Sequence, residues 1–269
     1  MEYKEYQPCS ELAKNVKCFW SIEDQTPFRS GGREKIFPDG CTELLFHYGD
    51  LFRKFDQRGG SHIQDRCFIH GQLQKYIEIE PTGKIGIFSA RFHPGGLQSF
   101  IPLPVSDLTH QTFSLTKVWG DPGKLLEKSM LMASDNAERQ KILETFLLER
   151  HNAGRDSAVA VQLVDAILET DGNVSIEELS ARLHIGKRQL IRVFISCVGI
   201  KPKMLARIIR FNKIIKLIEQ GDLSNFTAIA FEGGFYDQAH FIKDFKEITG
   251  LNPKSYFSEN LEMAKFFNL

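Results

Sequence analysis

The last third of the chain repeats itself. Residues 176–202 and 226–253 carry one pattern twice: Leu179 matches Ile229, Ser180 matches Ala230 and Ile185 matches Phe235 at an offset of 50. The offset then becomes 51, with Leu190 against Phe241, Phe194 against Phe245, Gly199 against Gly250 and Pro202 against Pro253. A one-residue change falls where a tight turn between two short helices absorbs it. Two helix–turn–helix copies in one domain are a DNA-binding layout, so the repeat points to the broad function.

The first copy has helical punctuation throughout. An amphipathic helix is predicted over 157–170, with Ala158, Val161, Val164 and Leu168 inward and Asp171-Gly172 as its stop. Ser175 reads as an N-cap and Glu178, three residues on, as the other half of a capping box. The helix over 176–183 turns at His184-Ile185-Gly186 and feeds a second over 187–197, whose core face is Leu190, Val193, Phe194 and Cys197. That leaves Lys187, Arg188, Gln189, Ile191 and Arg192 outward, the donors a recognition helix needs for base edges and phosphates. Pro202 starts a long helix to about residue 219. At 1.5 Å per residue it spans roughly 27 Å, a spacer suited to two helices in successive major grooves about 34 Å apart. After Gly221 the second copy gives a helix over 226–232, a turn at Gly233-Gly234-Phe235 and a helix over 237–249 N-capped by Asp237. Phe241, Phe245 and Ile248 face inward there, with Gln238, Ala239, Ile242, Lys243 and Lys246 outside.

Charge sharpens this reading. The chain is neutral overall, 34 Lys and Arg against 34 Asp and Glu, yet residues 179–218 hold ten bases and no acid. Lys201, Lys203, Arg207 and Arg210 extend the basic run beyond the recognition helix, as a phosphate-facing surface requires. Residues 221–260 hold three lysines against six acids, so the first unit is expected to anchor on DNA and the second to contact it weakly.

The motifs now carry a resemblance. Ile229-Ala230, the run Gly234-Phe235-Tyr236-Asp237-Gln238-Ala239-His240-Phe241, then Phe245-Lys246, Gly250 and Pro253 resemble the signature of AraC/XylS-type transcription regulators. Leu190, Arg192, Phe194, Gly199, Pro202 and Arg210 are similar to its first half, and the likeness covers about 100 residues. It implies a seven-helix domain with two helix–turn–helix units that binds double-stranded promoter DNA and contacts RNA polymerase. Arg188, Ile191 and Arg192, then Gln238, Ala239, Ile242 and Lys243, fall at its base-reading positions. His184 stands where many members have Gly and is read as a turn residue.

Residues 1–154 have another character. Strands are predicted over 16–22, 42–48, 67–71, 75–80 and 84–93, with Gly31-Gly32, Gly59-Gly60 and Pro81-Thr82-Gly83 as breaks and a hairpin turn at Thr82-Gly83. A helical turn follows over 96–101, then helices over 123–132 and 136–151 and a linker over 152–156. The expected fold is thus α+β in two domains. A β-rich barrel or cupin-like domain with trailing helices spans 1–154, and an all-α domain spans 155–260, its two helix–turn–helix units joined by the long helix. Residues 261–269 form a tail. Residues 37–46 and 88–96, with Trp119-Gly120, resemble the sensor-type domain of one branch of the same family. A barrel holds one ligand in its mouth, and Trp20, Glu43, Phe46, Arg91 and His93 are its candidate lining for a small effector. The alternative is a domain that only dimerises, through residues 123–132 or 136–151.

An enzyme is the rival class, with Cys41, Cys67, His47, His62, His70 and His93 as ligands of a cupin-like metal site. No HxH, HExxH or paired-Cys spacing supports it, nor does a P-loop, GxSxG or dinucleotide fingerprint, so no cofactor, metal or catalytic residue is expected. Five cysteines, an odd number without CxxC, fit a reducing, cytoplasmic setting. No apolar run of about 18 residues and no leader-like N-terminus is present, so no membrane partner is expected.

Overall fold

The computed structural model describes residues 1–25, 32–56, 59–152, 154, 157–220 and 237–258. The predicted helix over 226–232, its turn, the tail, and most of the linker lie outside them.

The N-terminal part holds ten strands: β1 (Glu2–Tyr6), β2 (Val16–Asp24), β3 (Glu34–Ile36), β4 (Thr42–His47), β5 (Phe52–Phe55), β6 (Ser61–Ile63), β7 (Cys67–His70), β8 (Ile77–Pro81), β9 (Ile85–Phe92) and β10 (Thr112–Ser114). They form two antiparallel sheets, ordered β1-β2-β9-β4-β7-β10 and β3-β8-β5-β6. The sheets share no strand, so the expected barrel is not closed and the architecture is a two-sheet sandwich. The Thr82-Gly83 hairpin is also corrected. β8 pairs with β3 and β5, and β9 with β2 and β4, so the turn carries the chain from one sheet to the other.

The large sheet is covered on both sides, which is why all eight residues of β9 are buried. Phe19, Leu44, Phe46, Phe88, Ala90 and Phe92 pack on one side with Leu126, Met130, Leu143 and Leu147. Those last four belong to α2 (Asp121–Met132) and α3 (Asn136–Arg150), which follow the short α1 (Leu115–Trp119). Trp20, Ile22, Ile85 and Ile87 face the other way, onto Phe52 and Ile79 of the small sheet. Adjacent residues of one strand thus enter different cores, as the period of two demands.

Helices α4 (Ala158–Glu169), α5 (Ile176–Arg182), α6 (Lys187–Val198), α7 (Pro202–Gln220), α8 (Gln238–Thr249) and α9 (Pro253–Ser258) make the C-terminal part. The expected cap at Ser175 holds, its Oγ accepting from Glu178 N–H, and Ser157 Oγ accepts from Ala160 N–H in the same way at the start of α4. The inward face of α4 is Ala160, Leu163, Val164 and Ile167, whereas Leu168 is 39% exposed and Ala158 is exposed. The predicted stripe kept only Val164, because the helix is hydrophobic nearly all round and period alone could not choose its face. His184 has φ of 50°, the left-handed turn geometry expected of it.

The two parts are packed together. Phe37 leaves the β-rich part to join Phe211, Ile214, Phe241, Phe245 and Tyr256 in one apolar cluster. Gly40 lies against Leu205 of α7, and Asn212 Nδ2 donates to the Asp39 carbonyl at 3.5 Å.

Candidate nucleic-acid interface and candidate ligand cavity

The outward faces of the two repeat helices are open. On α6, Leu190, Phe194, Cys197 and Val198 are buried, while Lys187, Arg188, Gln189 and Arg192 are exposed and Ile191 is half-buried. On α8, Phe241, Asp244, Phe245 and Ile248 point inward, and Gln238, Ala239, Ile242 and Lys243 are exposed. Ile242, 37% exposed, has no core to enter on that side among the described residues.

Both helices are held by their C-terminal ends. A helix leaves its last carbonyls without intrahelical donors. At α6 the adjoining Gly199 carbonyl accepts from Thr109 Oγ at 2.6 Å; at α8 the Ile248 carbonyl accepts from Tyr76 N–H at 2.9 Å. Gly199 and Gly250 occupy the same place in the repeat and both have positive φ, 91° and 74°. Each also abuts the β-rich part: a Cβ on Gly199 would lie 3.1 Å from Thr109 Oγ, and one on Gly250 would overlap the Tyr76 ring. The repeated glycines therefore serve two needs, a left-handed helix stop and a close approach.

The basic run is partly used inside the protein. Arg207 makes two 3.0 Å hydrogen bonds to the Asp244 carboxylate and one of 2.6 Å to Glu247, bridging α7 and α8. Arg210 donates to the Gly172 carbonyl at 2.7 Å, and Lys213 pairs with Asp171 at 2.9 Å. Lys187 pairs with Glu177 at the surface. Arg188, Arg192, Lys201 and Lys203 are exposed and, among the described residues, make no ion pair. Lys187, Lys201, Lys203, Ile191 and Arg210 border one groove of about 460 Å³ beside the first unit. Asp244, one of the six acids charged against the second unit, is buried and turned toward Arg207, whereas Glu247 bonds Arg207 but stays 47% exposed.

Between the two sheets lies a cavity of about 80 Å³. Alternation along β4 sends Glu43, Leu45 and His47 into it; Trp20, Ile87 and Arg91 come from β2 and β9, and Phe37, Asp39 and Cys41 from the segment before β4. Arg91 is 1% exposed, and its Nε donates to Glu43 Oε1 at 2.7 Å and lies 3.6 Å from Asp39 Oδ2. Glu43 also accepts from Trp20 Nε1 at 3.3 Å and from Ser89 Oγ at 3.4 Å. Burial raises the Glu43 carboxyl from its ordinary value, with Arg91 opposing and Asp39 adding to the rise. Burial pushes His47 and His70 down to about 4, so both are neutral at neutral pH. His47 is 1% exposed, and neither ring nitrogen has a hydrogen-bond partner among the described residues. A second, open cleft of about 540 Å³ adjoins it, sharing His70, Leu73 and Ile77 and adding Tyr76, Lys54 and His110.

Of the five lining residues expected, Trp20, Glu43 and Arg91 meet in this cavity. Phe46 and His93 are not among its walls. Phe46, one position out of phase with His47, belongs to the helix-side core, and His93 lies beyond the end of β9, its N–H bonded to the Asn15 carbonyl. Asp39, Cys41, His47, Gln64 and His70 are polar walls not among the expected lining. Counting by twos from Glu43 would have found His47 and excluded Phe46. Among the described residues no group of three His, Cys, Asp or Glu side chains is arranged to hold a metal, and no helix is long and apolar enough to cross a membrane.

Residues 4–114 match a family described as a domain of unknown function, DUF6597, and residues 179–259 match a helix–turn–helix domain family. An uncharacterized HTH-type transcriptional regulator of Haemophilus influenzae is 27% identical over 121 residues, 45% of this chain. The chain spans 39% of the length of that relative. Among solved structures, ToxT from Vibrio cholerae is 13% identical with a TM-score of 0.47, covering 89% of this chain and 98% of that one. The C-terminal domain of AraT, a response regulator from Geobacillus stearothermophilus, is 24% identical with a TM-score of 0.35, covering 37% of this chain and 84% of that one. With the matched residues, the repeat and the exposed faces of α6 and α8 together, the C-terminal third of the chain is a helix–turn–helix domain.

Proposed function

We propose that the chain regulates transcription by binding promoter DNA through both helix–turn–helix units, under control of a small molecule held by its β-rich part. The division between the parts is placed at residues 154 and 155. The observation that carries the reading is that α6 and α8 are gripped at their C-terminal ends while their polar faces stay open. Arg188, Gln189, Ile191 and Arg192, then Gln238, Ala239, Ile242 and Lys243, are the base-reading groups. Lys187, Lys201 and Lys203 serve phosphates. Arg207 and Arg210, each bonded internally, shape the domain more than they touch DNA. Because Asp244 is buried against Arg207, the second unit's outer face is less acidic than its composition by that one carboxylate, and its share of the grip rises accordingly.

The control arm rests on shared residues. Phe37 and Asp39 are walls of the inner cavity, and Tyr76 is a wall of the outer cleft; the same three residues seat α7 and α8. A ligand that favours one placement of this wall shifts the arrangement of the second unit, since equal affinity for both placements shifts nothing. Contact with RNA polymerase, and dimerisation through α2, where Leu125 and Met132 are 65% and 73% exposed, complete the proposal. The test is fluorescence anisotropy of the full chain on duplex DNA across a salt series. A log–log slope of several units is expected, and no binding at low salt overturns the reading.

A further inference from the structure

The inner cavity has an unbalanced charge. Asp39 and Glu43 bring two carboxylates to the single guanidinium of Arg91, while His47 and His70 are neutral at neutral pH and burial holds the Cys41 thiol well above its ordinary value. Lys54 lines the outer cleft and not this cavity. A surplus carboxylate that is mostly buried, as Asp39 and Glu43 are with side chains 20% and 17% exposed, is unfavourable unless a proton or another cation meets it. A third carboxylate, brought by an anionic ligand, would worsen the imbalance.

The remaining walls suit a cation with a short hydrocarbon body. Trp20, Phe37 and Phe68 offer aromatic surface, and a cation over an aromatic face is attracted by the ring quadrupole. Independently of the acids, His47 is buried with both ring nitrogens unsatisfied among the described residues. A buried polar group in that condition points to a partner from outside the chain. The volume of about 80 Å³ is smaller than the roughly 150 Å³ of an apolar cavity known to accept benzene, which limits the occupant to a few heavy atoms unless it extends toward the cleft.

We propose that the cavity selects a small organic cation, an alkylammonium or amidinium of a few carbons, whose charged head meets Asp39 and Glu43 and whose body lies against Trp20 and Phe68. This rests on the reading of the β-rich part as a ligand-binding part.

Thermal unfolding of the full chain with n-butylammonium, n-butyrate or 1-butanol at about 10 mM and constant ionic strength tests it. Butylammonium is expected to raise Tm by about 2–4 °C at tenfold excess over its Kd. Butanol should raise it less, and butyrate not at all. Asp39→Asn keeps the turn oxygen that accepts from Cys41 N–H at 2.9 Å and should abolish the butylammonium shift with little change in the variant's own Tm. Glu43→Gln should do the same if it folds. A butyrate shift equal to the butylammonium shift, no butylammonium shift up to about 50 mM, or a shift surviving in Asp39→Asn overturns the proposal. DNA binding of the same samples without added probe is measured alongside. Its loss refutes the regulator reading alone, and its retention with no amine response refutes the cation site alone.

Discussion

Replacing Arg207 by Met separates a structural arginine from a DNA-reading one. Met keeps the aliphatic stem and removes the fork that makes two 3.0 Å bonds to Asp244 and one of 2.6 Å to Glu247. The Arg207 side chain is 22% exposed and that of Asp244 9%, so the substitution takes the guanidinium away from a nearly buried carboxylate. Breaking a fully buried pair costs about 3–5 kcal/mol; the exposure of Arg207 scales this to about 2–3 kcal/mol. For a chain of this size that is roughly 5–10 °C in Tm, read by circular dichroism. A double-mutant cycle with Asp244→Asn should return a coupling of at least about 1 kcal/mol, because both singles lose the same bonds. In anisotropy the salt slope of Arg207→Met should equal that of the unaltered chain, whereas Lys201→Ala, at a phosphate-serving position, lowers it by about 1. An Arg207→Met protein with unchanged Tm and a flattened salt slope would refute the assignment.

Four further outcomes are expected. Arg192→Ala weakens promoter binding by about 1–3 kcal/mol if its guanidinium reads a guanine, measured by anisotropy on the cognate and a scrambled duplex; equal loss on both would make it a phosphate contact. Gly250→Ala lowers stability by more than about 1 kcal/mol in urea titration, since its φ of 74° disfavours a side chain and the new Cβ overlaps Tyr76. Phe37→Ala, removing a ring 3% exposed within the cluster of Phe211, Phe241 and Phe245, costs about 3–4 kcal/mol, and a Tm unchanged within about 2 °C would mean that the two parts are not packed there in solution. Stability falls between about pH 6.5 and pH 4, because His47 and His70 titrate near 4 when folded and near 6.5 when unfolded, so the unfolded chain binds more protons in that window. Each contributes about 1.4 kcal/mol per pH unit there, and His47→Phe should remove its share in urea titrations at about pH 7 and pH 5.

The repeat was legible because helix punctuation is local. The cap at Ser175, the turn at His184, the stop at Gly199 and the inward stripe Leu190, Val193, Phe194, Cys197 depend on residues within a turn or two, and they are found as read, with Val193 only half-buried. The stripe of α4 was missed because an almost uniformly apolar helix has no weak face. Strands β2, β4, β7, β8 and β9 were legible too. The three-residue β3, β6 and β10 carry too few residues to show alternation, and β1, mostly exposed, has no apolar face to declare.

The fate of the charges was not legible. The sequence determines that residues 179–218 are basic and 221–260 acidic, but which bases face solvent depends on how α7 lies against α8. That crossing brings the carboxylates of Asp244 and Glu247 to Arg207 and so turns it inward. Likewise, alternation decides that Glu43 and His47 share a face, and only the pairing of β4 with β9, and the layering of one sheet on the other, sets Arg91 and Asp39 beside them. Local chemistry wrote the two repeat helices α6 and α8 into the chain. The cavity, and the grip of the β-rich part on the ends of those helices, unite residues as far apart as Tyr76 and Ile248, whose meeting depends on the packing of the whole.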